Sequence, residues 1–513
     1  LQAPDYQLGG ITVELPTQGA LLHREALLKA EQSISRIKDI VGKDPSRLKY
    51  HFMAPAYWIN DPNGLIFYKG EYHLFYQHYP YAAKWGAMHW GHAKSKDLVH
   101  WEHLPIALAP SEPYDLDERG GVFSGSAVDD NGVLSVLYTG TIIKDGALIQ
   151  SQCLATSQDG ITFEKYERNP VIAGPPEDGS ADFRDPKVWK HDGTWYMVVG
   201  SSKDDIGKAL LYKSPDLREW NYIGVLAESD GTMGTMWECP DFFPLDGRYV
   251  LMFSPMGMGE RKTIYLVGDM DYETGRFTWD TMGDVDHGFE YYAPQSFLDG
   301  QGRRIIIAWL NAWDWMPWFK DFGPTAENHW CGAMSAPRTV ELDSDGRLKF
   351  MPVKELKVLR REHYHIEQTA VTPGVPVIPR YVGSDCLEIK AEFEMSNCTA
   401  EEIGFVLRGA GDSEQQTLLV YNTKTGALRF DRTRSDGWSE GVRSAVLERT
   451  GEEPLRLHIF VDTCAVEVYT DQYRTAMTNN IYPEPANVML EVFASGGSVN
   501  LASLDVWKLR SAW

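Results

Sequence analysis

Trp58-Ile59-Asn60-Asp61-Pro62-Asn63-Gly64 runs into the apolar segment Leu65-Ile66-Phe67-Tyr68. An acidic residue ahead of proline and glycine is by itself a turn signal. Here the turn opens a strand and carries a ring and an amide beside the carboxylate, which is how a sugar site is furnished. The reading of this stretch depends on what the rest of the chain does with the same pattern.

From residue 51 onward short runs of Val, Ile, Tyr, Phe and Trp alternate with Asp-Gly, Asn-Gly and Lys-Gly turns, the signature of β-structure. The pattern repeats every roughly sixty residues, as in a propeller array. Paired strand segments fall at 65–68 with 73–76, 123–128 with 133–138, 187–190 with 195–199, 242–245 with 249–253 and 295–298 with 304–309. Three units close on Ser-x-Asp-x-x-x-aromatic: Ser95-Lys96-Asp97 to Trp101, Ser157-Gln158-Asp159 to Phe163, and Ser214-Pro215-Asp216 to Trp220. Five units make a five-bladed β-propeller over 51–352.

Counting back eight or nine residues from the turn glycines Gly70, Gly193 and Gly247 leads to Asp61, Asp185 and Glu238. Phe123, beside Ser124, and Ala293 hold the same place in the second and fifth units. Innermost strands line a propeller's central channel, so three carboxylates are expected to converge at one end of it. Two carboxylates flanking a glycosidic bond suffice for hydrolysis. Asn60 is expected to keep Asp61 ionised. Glu238, between an indole and a thiol, is expected in a partly apolar setting that raises its pKa, and Arg184 is expected to hold its neighbour Asp185 charged.

The remainder of the chain frames this unit. Residues 1–50 are expected as an extended arm to about 18, then an amphipathic helix over 20–41 that packs back on the body. A Pro- and Val-rich linker is expected over 353–384. A β-sandwich without a histidine or carboxylate cluster is expected over 385–513. The fold class is therefore all-β, a propeller followed by a sandwich with a short N-terminal helix.

Bulk properties exclude several functions. A net charge of −23 disfavours nucleic acid and anionic membranes as partners, and no apolar run approaches the roughly 18 residues of a membrane span. The 17 Trp and 25 Tyr suit stacking on sugars as well as β packing. Six scattered cysteines without a CxxC spacing favour reduced thiols and the cytoplasm. The opening Leu1-Gln2-Ala3-Pro4 lacks Met, which leaves a removed secretion signal open. Self-association into a homo-oligomer is also left open.

Three segments, Trp58 to Gly64, Phe183-Arg184-Asp185-Pro186 and Trp237-Glu238-Cys239-Pro240-Asp241, resemble in order the signature motifs of glycoside hydrolase family 32. That family includes invertases, sucrose-6-phosphate hydrolases, inulinases and levanases. The resemblance implies a retaining double displacement without metal or cofactor, in which Asp61 is the nucleophile, Glu238 the acid/base and Asp185 the transition-state stabiliser. It also implies fructose-binding roles for Asn60, Gln77, Trp85, Phe123, Ser124, Arg184 and, as a looser match, Trp330. The resemblance further implies sucrose and fructo-oligosaccharides as the substrate class. A fructosyltransferase or exo-inulinase/levanase on the same scaffold, an inverting arabinan-cleaving propeller and a non-catalytic sugar-binding propeller are the rival readings. The insert Trp313-Asp314-Trp315-Met316-Pro317-Trp318 is longer than related sucrases usually carry, and reads as an aromatic wall on the leaving-group side or as a hydrophobic lid or association patch. His89 and His92 sit in a β repeat rather than on a helix and are not expected to bind a metal.

Overall fold

Among the described residues one α-helix lies ahead of the sheets that begin at residue 57. The computed structural model describes residues 17–411, 414–449 and 451–513, plus the backbone of a hairpin, Tyr6–Leu8 with Ile11–Val13. Most of the arm expected over 1–18 lies outside the described residues. The helix, α1, spans Gln18–Val41 and is capped by the Thr17 hydroxyl, which accepts from Ala20 N at 3.2 Å. Its apolar stripe, Ala30 and Ile34, packs on Ile106. Glu31 Oε1 accepts the Ile106 amide at 2.7 Å and His23 Nε2 that of Ala109 at 3.2 Å. The helix thus covers the outer strand of the first sheet, an edge that would otherwise be open to pairing.

Between residues 57 and 352 the strands form five sheets, antiparallel apart from one short parallel pairing. Their innermost strands are Tyr57–Tyr68, Gly121–Asp130, Phe183–His191, Met236–Leu245 and Tyr292–Leu298. Each inner strand contacts the next, and the fifth contacts the first. A separate apolar cluster fills each gap between sheets: Phe75, Trp90, Val136 and Tyr138 in the first gap, Leu137, Leu154, Phe183 and Met197 in the second. Within Val133–Lys144, Val136 and Tyr138 face one neighbour and Leu137 the other. Such two-sided burial is why these strands read as continuous apolar runs rather than as alternating ones.

The Ser-x-Asp elements are turns between the third and fourth strands. Asp97 Oδ1 accepts from Val99 N and His100 N, Asp159 Oδ1 from Ile161 N and Thr162 N, and Asp216 Oδ1 from Arg218 N and Glu219 N, all at 2.7–3.0 Å. The residue after the aspartate is left-handed in each, Leu98, Gly160 and Leu217, with φ of 65°, 78° and 68°.

The C-terminal half stacks a six-stranded sheet on a five-stranded one around a single apolar core. The segment expected as a linker is not one throughout. Arg360–Val371 is a strand on the edge of the six-stranded sheet, paired with Val499–Leu509. Its sequence hides this because the inward face offers only half-buried Tyr364 and Ile366 between exposed His363, His365 and Glu367, a weak apolar signal. Buried charge joins the two halves. Arg338 Nη1 lies 3.0 Å from Asp286 and Nη2 3.0 Å from Glu467, while His51 sits between Asp462 and Glu467 at 2.9 and 3.0 Å. Burial alone would lower the His51 pKa, but the hydrogen bonds to these two carboxylates outweigh it and raise it to about 9.

Candidate active site

Every inner strand breaks register near its start. The interruption falls between Ile59 and Pro62, Phe123 and Gly125, Arg184 and Lys187, Glu238 and Asp241, and Tyr292 and Gln295. Four of these bulges carry an X-Pro dipeptide: Asp61-Pro62, Asp185-Pro186, Cys239-Pro240 and Ala293-Pro294. Proline supplies no ladder donor, so it is tolerated where pairing is already interrupted. Asp185, Cys239 and Ala293 adopt φ of 66°, 47° and 50°, which re-aims the chain at one end of the sheets.

This alignment corrects the count from the turn glycines. The first inner strand holds a second register shift, between Asn63 and Ile66, with Gly64 at φ 53° where an added Cβ would meet the Phe75 ring at 2.6 Å. A count of nine therefore applies to that strand, and eight to the third and fourth. The partners of Asp61 and Asp185 are Ser124, Cys239 and Ala293. Glu238 belongs one residue earlier, with Asn60, Phe123, Arg184 and Tyr292.

The hydrogen bonds follow these two tiers. In the first, Ser124 Oγ donates to Asp61 Oδ2 at 2.7 Å, and the Cys239 thiol reaches both Asp61 Oδ2 at 3.5 Å and Asp185 Oδ2 at 3.4 Å. The Cys239 amide donates to Asp185 Oδ2 at 2.9 Å, and the Asp185 amide to Thr139 Oγ1 at 3.0 Å. In the second tier Arg184 Nε and Nη2 lie 3.1 and 2.9 Å from Glu238 Oε1, and Tyr292 OH donates to Glu238 Oε2 at 2.5 Å. Arg184 Nη1 is anchored by Asp182 at 2.5 Å and Gln150 at 3.3 Å.

Burial is the largest influence on both aspartates. It raises the Asp61 pKa to about 6, with the Glu238 charge adding to it and the nearby polar groups of Ser124, Asn60 and Cys239 pulling it back. It raises Asp185 to about 7, where Arg184 pulls down and the charges of Glu238 and Asp61 push up. Arg184 does pull Asp185 toward its charged form, as expected, but burial outweighs it, because the guanidinium hydrogen-bonds Asp182 and Glu238 rather than Asp185. The expected apolar setting of Glu238 fails: its carboxylate sits on an arginine and a tyrosine, and Trp237 turns into the core to stack on Phe253 at 3.8 Å. Burial, followed by the nearby carboxylates, holds the Cys239 thiol well above its usual pKa, so it donates as a neutral group.

Most of the other expected site residues gather here. Trp58 Nε1 donates to Asn60 Oδ1 at 2.7 Å, fixing that amide. Gln77 Nε2 donates to Val122 O at 3.0 Å, tying the first sheet to the second. Trp85 packs edge-on against Phe123, with centroids 6.1 Å apart. Trp330 does not join them. Its indole donates to Asp44 at 2.6 Å and lies under Arg47, buried against the segment after α1. Cys331, next along the strand, takes the site-facing place in the cluster with Trp58 and Tyr292.

The tryptophan-rich insert also reaches this cluster. Trp313 stacks on Trp315 at 5.5 Å and lies 4.9 Å from Trp309, and Trp315 stands edge-on to Tyr292 at 6.0 Å. Trp318 packs on the same cluster and also on Phe289 and Arg443, at the junction of propeller and sandwich. His89 and His92 have separate partners, the Ala87 carbonyl and His73. Tyr292, Cys239 and Thr139 are the functional groups missed from sequence. The X-Pro dipeptides were the signal that could have found the first two.

Residues 51–352 match the N-terminal domain of glycosyl hydrolases family 32, and residues 355–508 its C-terminal domain. A sucrose-6-phosphate hydrolase of Escherichia coli is 40% identical over 487 residues, covering 90% of this chain and 94% of the relative. A raffinose invertase of Escherichia coli is 40% identical over 475 residues, with 90% and 94% covered. Among solved structures, a Bombyx mori family 32 β-fructofuranosidase superposes with a TM-score of 0.81 at 32% identity, covering 95% of this chain and 99% of that one. A β-propeller followed by a β-sandwich, the three motifs in order and relatives along nearly the whole length lead to one assignment: the chain belongs to glycoside hydrolase family 32.

Proposed function

We propose that this protein releases β-D-fructofuranosyl units from sucrose and related fructosides by retaining hydrolysis. The observation that carries the reading is the meeting of Asp61, Asp185 and Glu238 from three of the five inner strands, with Arg184 and Tyr292 gripping, of these three carboxylates, the glutamate alone. Asp61 Oδ2 is occupied by Ser124 and Cys239, whereas Oδ1 accepts no hydrogen bond from the protein. Asp61 is the carboxylate that attacks the anomeric carbon of the fructosyl unit. Glu238 gives its proton to the departing glycosidic oxygen as that bond breaks. In the second step Glu238 takes a proton from water, whose oxygen displaces Asp61 and restores the free enzyme. Asp185, ionised, offsets the positive charge that develops on the sugar ring.

The five sheets, in contact around a closed cycle, support reading 51–352 as five blades of one propeller. The sandwich over 385–513 then takes the strand Arg360–Val371 from the connecting segment 353–384. Asn60, Gln77, Trp85, Phe123 and Ser124 are proposed to bind the fructosyl unit. Trp315, packed on the tyrosine that holds Glu238, is proposed to wall the leaving-group side, because the acid must face the departing oxygen.

A panel of sucrose, sucrose 6-phosphate, raffinose, inulin and levan, scored for fructose and for the anomer first released, tests the reading. Free fructose with retained configuration is expected, from short fructosides above the polymers. Fructosyl oligosaccharides in excess of free fructose at high sucrose would make the protein a transferase, and an inverted product would remove the double displacement.

A further inference from the structure

A histidine–carboxylate cluster, which was not expected in the sandwich, stands at the edge of its six-stranded sheet. His363 and His365 lie two residues apart on Arg360–Val371 and so project from one face of that strand. Asp505 on Val499–Leu509 is directly opposite His365, and Trp507 is opposite His363. His363 Nε2 lies 2.7 Å and His365 Nδ1 2.8 Å from the same oxygen, Asp505 Oδ1. The three ligand atoms all fall within 4.8 Å of one another, and ligands at about 2.0–2.2 Å around a tetrahedral zinc ion are mutually separated by roughly 3.3 Å. Small side-chain rotations suffice to open the cluster around an ion.

The cluster is braced. The His363 ring stacks on Trp507, with centroids 4.7 Å apart and planes 5° from parallel, and the Arg360 guanidinium covers Trp507 at 3.7 Å. A ring held in this way gives up less rotamer freedom on ligation. All three side chains remain open to solvent, at 44%, 39% and 27% of their surface, so an ion has access. Glu367 Oε1, 3.4 Å from His365 Nε2, adds negative charge. Lys390 faces Asp505 from the adjoining strand and opposes it.

We propose that His363, His365 and Asp505 bind one divalent transition cation of the zinc class, which clips the edge strand to its neighbour. Two imidazole nitrogens with one carboxylate oxygen match borderline metals such as zinc, nickel or cobalt, and are a poor set for calcium or magnesium, which take oxygen ligands. The three protein ligands leave a position for water. The ion joins Arg360–Val371 to Val499–Leu509 and lies in the other half of the chain from Asp61, so sucrose cleavage does not depend on it. Its place in the fold is to lock an exposed edge that backbone pairing secures on one side only.

The test uses the full chain, stripped with a chelator and titrated with Zn²⁺ by calorimetry and with Co²⁺ by visible absorption. One equivalent should bind, reversibly to chelator, with a cobalt band characteristic of nitrogen and oxygen ligands. His363→Ala and His365→Ala should each weaken binding by more than about tenfold, and the double variant should abolish it. His100→Ala, at an exposed histidine paired with Asp97, should leave it intact, as should sucrose turnover throughout. Because the two cluster histidines are exposed, circular dichroism of the variants should match the parent. No bound equivalent, or one that survives in the folded double variant, would overturn the proposal.

Discussion

Arg184 places Nε and Nη2 3.1 and 2.9 Å from one oxygen of Glu238, passing over the aspartate next to it in sequence. Adjacent residues on the bulged strand point into different tiers, so Arg184 serves the strand beside it. A lysine can offer one point charge here but not the planar fork. Arg184→Lys should lower kcat/KM by about 10²-fold, a loss of roughly 2–4 kcal/mol of transition-state stabilisation. Stopped assays of fructose release measure it, and an unchanged kcat/KM would show that the fork is not used.

Asp185 is held where burial opposes its charge, so it should weaken the fold at the pH where it is ionised. Its pKa is raised in the folded state to about 7 from an ordinary value near 4. The stability linked to its proton is complete below the unfolded pKa and is lost as pH rises through about 7. Asp185→Asn keeps an acceptor for the Cys239 amide and removes the charge. The variant should be more stable than the parent by about 2–4 kcal/mol at pH 8, equal to it near pH 4, and nearly inactive. Denaturant unfolding at both pH values checks this; a variant less stable at pH 8 would contradict it.

Ser124 donates to the attacking aspartate, and its hydrogen bond lowers the Asp61 pKa. The acid limb of kcat/KM should lie near pH 6 and belong to the coupled aspartates rather than to one residue. Removing the hydroxyl in Ser124→Ala should move that limb to higher pH by up to about one unit. A pH–rate profile for sucrose reads it directly, and a limb displaced to lower pH would reverse the sign argued here.

The two tryptophans of the insert and its exit should behave differently. Trp315 packs on Tyr292, whereas Trp330 is bound to Asp44 and Arg47 away from the carboxylates. Trp315→Ala should raise KM more for the substrate with the larger leaving group, raffinose, than for sucrose. Trp330→Phe should leave both KM values alone and cost stability, by about 1 kcal/mol for the lost hydrogen bond to Asp44. Kinetics on the two sugars and thermal unfolding separate these outcomes. The reverse pattern would return Trp330 to the binding site.

Much of this arrangement is legible from sequence because propeller strands repeat and their motifs carry the chemistry in one-letter form. Asp61, Asp185 and Glu238 are legible in that way. Register was harder. The extra bulge beside Gly64 shifts one strand by a residue, and a one-residue shift exchanges the two faces of a strand. That shift concealed Cys239 and Tyr292, whose tiers are set by position at a bulge. It also separates Trp330 from Cys331, neighbours that point to opposite sides. Arg360–Val371 reads as linker because the apolar signal of its inward face, from half-buried Tyr364 and Ile366, is weak, and the histidines it carries meet Asp505 only through pairing some 140 residues away in sequence.

The central claim is that Asp61 forms the bond to the fructosyl unit. Glu238→Gln removes the proton donor and the later base, so a fructoside with a leaving group that departs without protonation should load the enzyme and then stall. Mass spectrometry of peptides from the quenched variant should find one fructosyl residue on the peptide containing Asp61, absent in Asp61→Asn. A fructosyl adduct on another residue, or inverted fructose released with no adduct at all, would contradict it.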